Sequence, residues 1–170
     1  MKRFLERLLF SLTRGETEEV RRYMDGLNRT GRYEVSDMVR SGIAKHFAAG
    51  YCDDGQTKRV IASVWREKQY LIDPHTAVAF DVLEQYRRNS GDQTPAIVAS
   101  TASPFKFCDS VLTALGVSDL AAGPEIMEQM ARITDCPVPA PLAALKDKPI
   151  RFNQWTEKEH MVDKVLEMLG

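Results

Sequence analysis

The chain has 170 residues, with 23 basic and 24 acidic side chains, 44% hydrophobic and 28% charged residues. This is the composition of one globular domain with a core of its own, and it excludes the disordered, collagen-like and disulfide-rich classes. Charges that nearly cancel provide no field to draw the chain to nucleic acid, an anionic membrane or an acidic partner. Cys52, Cys108 and Cys136 form an odd set without CxxC spacing, which argues against a disulfide framework or a zinc site and for a reducing, cytoplasmic setting. No run approaches the roughly 20 apolar residues of a membrane span. Glu6 and Arg7 interrupt the N-terminal apolar run before it becomes a signal-peptide core, so that segment is expected to be a helix.

Phe4, Leu5, Leu8, Leu9 and Leu12 recur at spacings of three and four, predicting a first helix that ends near Arg14-Gly15. Glu16, Glu18 and Glu19 supply the negative charge favoured at a helix start, and Val20, Tyr23, Met24 and Leu27 continue as a second apolar stripe. Tyr33-Glu34-Val35 is the one strand-like stretch of this part. Ser36 is placed to cap a third helix carrying Met38, Val39, Ile43 and Phe47, before a loop at Gly50, Asp53, Asp54 and Gly55. Thr57 is expected to cap a fourth, through Val60, Ile61, Val64 and Trp65.

Asp73-Pro74 pairs a capping residue with proline at the first helical position, opening a helix with Val78, Phe80, Val82, Leu83 and Tyr86. After Asn89-Ser90-Gly91-Asp92 comes Pro95-Ala96-Ile97-Val98-Ala99, an apolar run of the kind found in buried parallel strands. Ser103-Pro104 repeats the cap-plus-proline start for a helix with Phe107, Val111, Leu112 and Leu115 that stops at Gly116. Pro124 opens a further helix through Ile126, Met127, Met130 and Ile133, its methionines read as core fillers. Pro137, Pro139 and Pro141 predict an extended connection. Residues 148–152 are expected as an edge strand, and Thr156 as the cap of a last helix with Met161, Val165, Met168 and Leu169.

The expected fold class is an α/β piece, mainly helical with about seven helices, one central parallel strand and short edge strands. Residues 1–70 form its helical part, and 71–170 a helix-strand-helix part with C-terminal helices. One central strand cannot make a stable sheet, so its neighbours are expected from elsewhere in a longer chain or from a second copy.

Chemistry concentrates in 96–107, AIVASTASPFKF: an apolar strand, a turn of small hydroxyl residues and a helix start. Ligands of open α/β sheets bind at the carboxyl ends of strands, near helix N-termini. Ser100, Thr101 and Ser103 are placed to meet one. The residues alone leave a second reading open, in which Ser103 only caps and Ser100 and Thr101 satisfy local backbone groups. His75 at a helix start has a structural reading, with its ring satisfied by a neighbouring loop. His46 and His160 lie on separate helical segments without metal-ligand spacing.

STASPFKF is similar to the STAHPAKF-like signature late in threonine synthases, and DPHTAV matches the block that precedes it there. The opening FLERLLF resembles the family's SNFERLLF segment, and PVPAPLAALKDKPIRF resembles the stretch after the signature helix, so the likeness runs along essentially the whole chain. It implies the C-terminal portion of a fold-type-II pyridoxal 5'-phosphate enzyme that converts O-phospho-L-homoserine and water to L-threonine and phosphate.

The same resemblance maps the hydroxyl that bonds the cofactor's pyridine nitrogen onto Thr101, with Ser100 beside it. Ser103 stands where the family has histidine and Phe105 where it has alanine, which is expected to crowd a normally small surface. Lys106 matches the signature lysine and is expected to make a structural or substrate-phosphate contact. Ser103, Lys106 and His75 are thus the candidate substrate or site-shaping residues. The family's Schiff-base lysine, early asparagine and Gly-rich phosphate loop have no counterpart in these residues. The chain alone is therefore expected to be inactive and not to hold the cofactor stably, with the N-terminal portion of the same enzyme as its partner and no catalytic residue of its own.

A different class stays open: a non-catalytic helical module that binds a protein or a second copy of itself through apolar surface. A hydrolase using Ser100 or Ser103 lacks a histidine in any recognisable nucleophile motif.

Overall fold

The architecture was determined as a computed structural model that describes residues 2–151 and 153–169. Among the described residues there are nine α-helices, two short 3-10 turns and no β-strand. The central strand expected at 95–99 is thus corrected: the run is irregular, and Ile97 at its middle is 99% exposed. A strand is held by hydrogen bonds to a neighbouring strand, and no described segment offers one. Tyr33–Val35 and 148–151 are likewise irregular; Phe152, the last residue of the expected edge strand, lies outside the described residues.

The chain divides into two compact units, Met1–Asp53 with Val78–Ile97, and Asp54–Ala77 with Val98–Gly170. The first contains α1 (Lys2–Leu12), α2 (Thr17–Thr30) and α3 (Asp37–His46), with α1 packed on both of the others. Their apolar stripes meet in a core of Leu9, Val20, Tyr23 and Val39, flanked by Leu12, Met24, Tyr33, Val35 and Ile43. Gly31 ends α2 at φ 75°, a left-handed conformation that glycine adopts without a Cβ clash, and its N–H donates to Leu27 O at 3.0 Å. Ser36 precedes α3 as expected but makes no side-chain cap; its N–H donates to the Tyr23 hydroxyl at 3.0 Å.

The second unit is built on α4 (Asp54–Lys68), α6 (Cys108–Ala114) and α7 (Glu125–Thr134), with α6 in contact with both others. Its core holds Ile61, Val64, Ile72, Ala77, Phe105, Cys108, Val111, Leu112 and Met130. The i, i+3, i+4 spacing along each helix turns these side chains onto one face, and their burial supplies the main favourable free energy. α4 starts at Asp54, one turn before the expected Thr57 cap, and Thr57 is buried inside the helix. The earlier start places Asp54 in the first turn, where an acidic side chain favours the helix dipole.

α5 (Pro74–Ser90) opens in the second unit and continues into the residues of the first. The prolines at 137–141 do not give only an extended connection: α8 (Ala140–Ala143) forms with Pro141 in its first turn, where a missing N–H costs no helical bond. The last helix, α9 (Met161–Leu169), follows a 3-10 turn at Lys158–His160 whose N-cap is Glu157, one residue beyond the expected Thr156.

Candidate functional site

The candidate residues gather in the second unit, where the start of α5 meets the segment that leads into α6. Asp73 is the N-cap of α5: its carbonyl accepts the Ala77 N–H at 2.9 Å, the first bond of the helix. Its side chain, fully buried, accepts at Oδ1 from the His75 N–H at 2.9 Å and the Thr76 N–H at 3.3 Å. Proline at 74 holds the chain in helical φ and contributes no N–H that would need a partner, so the carboxylate serves the next two N–H groups.

Asp73 gathers two side chains as well. The Thr76 hydroxyl donates to Oδ2, and His75 Nδ1 lies 3.2 Å from Oδ1. Burial alone pushes the carboxyl up, but the hydrogen bonds from Thr76 and His75 together outweigh it and hold Asp73 below the ordinary carboxylate range. An ionised carboxylate can only accept, so the His75 ring donates from a protonated Nδ1. The ring rests against Phe107, centroids 5.1 Å apart and planes tilted by 59°, and its side chain is 65% exposed.

The same cluster reaches the hydroxyl turn, because Thr76 Oγ1 and Ser100 Oγ are 3.1 Å apart. Hydrogen bonds thus join DPHT to STASP across 24 residues of sequence. Thr101 follows with its side chain exposed and without a hydrogen bond to another described residue. Ser103 caps a 3-10 turn, Pro104–Lys106, by accepting the Phe105 N–H at 3.3 Å. Its hydroxyl oxygen is therefore engaged locally. Phe105 does not crowd this surface: its side chain is buried in the hydrophobic core. Lys106 is exposed, with no ion pair to a described residue.

His46 ends α3 in the other unit, and His160 lies in the C-terminal 3-10 turn 3.8 Å from Asp163. Among the described residues no group of three His, Cys, Asp or Glu could hold a metal ion. The residues that sequence reasoning missed are Thr76, which bridges the two motifs, and the side chain of Asp73, read there only as a helix cap. Their signal was the spacing itself, since an N-cap carboxylate reaches the side chains two and three residues on.

A family model described as "Threonine synthase, C-terminal" matches residues 76–166. The threonine synthase of Pseudomonas aeruginosa is 32% identical over 136 residues, 78% of this chain and 28% of that protein. The crystal structure of PLP-bound threonine synthase from Brucella melitensis superposes with a TM-score of 0.58 at 33% identity, over 72% of this chain and 26% of that one. The threonine synthase from yeast gives a TM-score of 0.71 at 25% identity, over 97% and 34%. The chain therefore spans about a third or less of the length of these relatives. Its mainly helical architecture is that of part of a threonine synthase, and the chain belongs to the threonine synthase family, C-terminal portion.

Proposed function

We propose that this chain supplies one wall of a threonine synthase active site, at which O-phospho-L-homoserine and water become L-threonine and phosphate. The observation that carries the reading is the joining of DPHT to STASP through Thr76 and Ser100, which brings both family segments to one place.

The donor set fits pyridoxal 5'-phosphate at its ring nitrogen. A neutral, exposed hydroxyl suits a pyridine nitrogen better than a carboxylate, because it donates a hydrogen bond without forcing the nitrogen to carry a proton. Thr101 would hold that nitrogen with its Oγ1–H, and Ser100 lies beside it. The bound cofactor supplies the electron sink for carbanion chemistry at the substrate. The chain's own residues bind and orient. Ser103 caps the turn that carries Lys106, Lys106, with no ion pair to a described residue, offers a positive charge to a substrate phosphate, and His75 flanks the same cluster.

The lysine that would move protons at the substrate, and the loop that would hold the cofactor phosphate, belong to the N-terminal portion of such an enzyme, the proposed partner. The chain alone is accordingly inactive in this reading, and the site works in the cytoplasm.

A second reading, a non-catalytic interaction or oligomerisation module, is favoured by the apolar side chains left exposed in the tail: Trp155, Met161, Val162, Val165, Leu166 and Leu169. Phosphate release from O-phosphohomoserine with pyridoxal 5'-phosphate separates the two. The test uses this chain alone and then with a separately expressed N-terminal portion of a threonine synthase. Activity only in the mixture supports the first reading. Activity of the chain alone would overturn the assignment of the lysine to a partner, and inactivity in both arms together with a stable homo-oligomer would favour the module.

A further inference from the structure

We infer that Asp73 is a positioning residue that sets the hydrogen-bond polarity of this site, so that His75 presents Nε2 and Ser100 presents Oγ as acceptors to a protic group of the ligand. That group is an ammonium, a hydroxyl or a water molecule. The inference rests on the proposed reading for the ligand's presence, but the polarity follows from the cluster itself.

Among the described residues Asp73 is the only acidic group of the cluster, and as an anion it accepts every hydrogen bond it makes there. The Thr76 hydroxyl has one proton, and it is given to Oδ2. Across the 3.1 Å between Thr76 Oγ1 and Ser100 Oγ, the proton must then come from Ser100. Ser100 is left with lone pairs and no free O–H, while Thr101 keeps its proton to give. His75 is ordered in the same sense: its Nδ1–H points to Oδ1, and a neutral imidazole with a protonated Nδ1 has a lone pair at Nε2. Phe107 lies against one side of the ring, and the side chain is still 65% exposed. One buried carboxylate thus turns two side chains from DPHT and STASP into acceptors and leaves Thr101 as the donor.

Ring 1H–15N spectra of the labelled chain test this directly, since it has 3 histidines. They would be recorded at about pH 9, where an ordinary imidazole with pKa about 6.5 is neutral. His75, assigned by its loss in His75→Gln, is expected mainly as the Nδ1–H form, the reverse of exposed His46. Asp73→Ser keeps a capping hydroxyl but removes the second oxygen and the charge, and should return His75 to the distribution of His46. Asp73→Asn keeps an acceptor oxygen and should retain the Nδ1–H form. A wild-type His75 in the Nε2–H form, or an Asp73→Ser spectrum unchanged from wild type, overturns the inference. Should Asp73→Ser not fold, the wild-type and Asp73→Asn spectra decide, with Nε2–H in either counting against it. An Nδ1–H His75 in a chain that never complements an N-terminal portion would remove the proposed function and leave the polarity standing; activity with an Nε2–H His75 would do the reverse.

Discussion

Residues 104–115 and 157–169 lie in the same unit and follow the same local grammar, yet they end in opposite environments. Both begin with a 3-10 turn that runs on within two residues into an α-helix, and both carry apolar residues at helical spacing. In the first, Phe105, Cys108, Val111 and Leu112 are buried among α4 and α7. In the second, Met161, Val162, Val165, Leu166, Met168 and Leu169 are all exposed. Periodicity determines that a helix forms and which face is apolar; burial requires a second surface to receive that face. A helix of 9 residues such as α9 has little stability from propensity alone, so its apolar face calls for a partner in a way that α6 does not.

The largest expected effect lies on the buried side of that comparison. Leu112 is fully buried in the second unit, and Leu112→Ala should cost about 2–5 kcal/mol by lost transfer energy plus the cavity left behind. Urea unfolding followed by tryptophan fluorescence reads this unit, because Trp65 and Trp155 both belong to it. A midpoint unchanged from wild type would mean that α6 is no better anchored than α9.

Asp73→Ala comes next, at about 1–3 kcal/mol, because it removes a cap and leaves buried N–H and hydroxyl donors without their acceptor. Its pH dependence has a definite sign. The folded carboxyl titrates below its unfolded value, so its contribution is full above about pH 4 and is lost as pH falls through the folded value. The wild type should therefore lose stability on acidification more steeply than Asp73→Asn, when urea midpoints are compared between neutral and acidic pH. Equal slopes would show that the carboxylate is not held ionised by its partners.

These two sites also mark what the sequence could and could not disclose. The apolar stripes of α1, α2, α3, α5 and α7 were legible because spacings of three and four leave few other structures, and the caps at Asp73 and Ser103 because proline follows each. The run Pro95–Ala99 was misread because an apolar pentapeptide carries no period of its own, and its strand character depends on neighbours that no described residue provides. α8 was missed because clustered prolines suggest extension, although Pro141 in a first turn is compatible with a helix. At the site, the hydroxyl turn was singled out from its place between an apolar run and a helix start, and His75 from the DPHTAV block. The Thr76–Ser100 link was not legible, since a contact between residues 24 apart is a property of packing.

A smaller effect separates the cysteines. Burial, and then the nearby Asp109 charge, pushes the Cys108 thiol up, and its Sγ–H donates to Phe105 O at 3.2 Å. Since the thiolate is the reactive species, Cys108 should be alkylated by iodoacetamide more slowly than the half-buried Cys52 and Cys136 in the native chain, and at a similar rate in urea. Mass spectrometry of the labelled peptides measures the order. Equal native rates would place the α6 face in exchange with solvent, like that of α9.

The smallest expected effect is the one that tests the comparison most directly. Leu166 has the same chemistry as Leu112 and a comparable place in a helical stripe, but it is 61% exposed. Leu166→Ala removes little buried area, so its urea midpoint should stay within about 0.5 kcal/mol of wild type in the isolated chain. Adding the N-terminal portion of a threonine synthase should change that result if the proposed partner covers α9. The substitution would then weaken association while still leaving the isolated chain unaffected, because buried area is gained only in the complex. A large loss of stability without any partner would mean that α9 is already covered in solution by a second copy. Sedimentation of the wild-type chain distinguishes that case, since a dimer disrupted by Leu166→Ala points to self-association, and a monomer that binds the N-terminal portion points to the synthase.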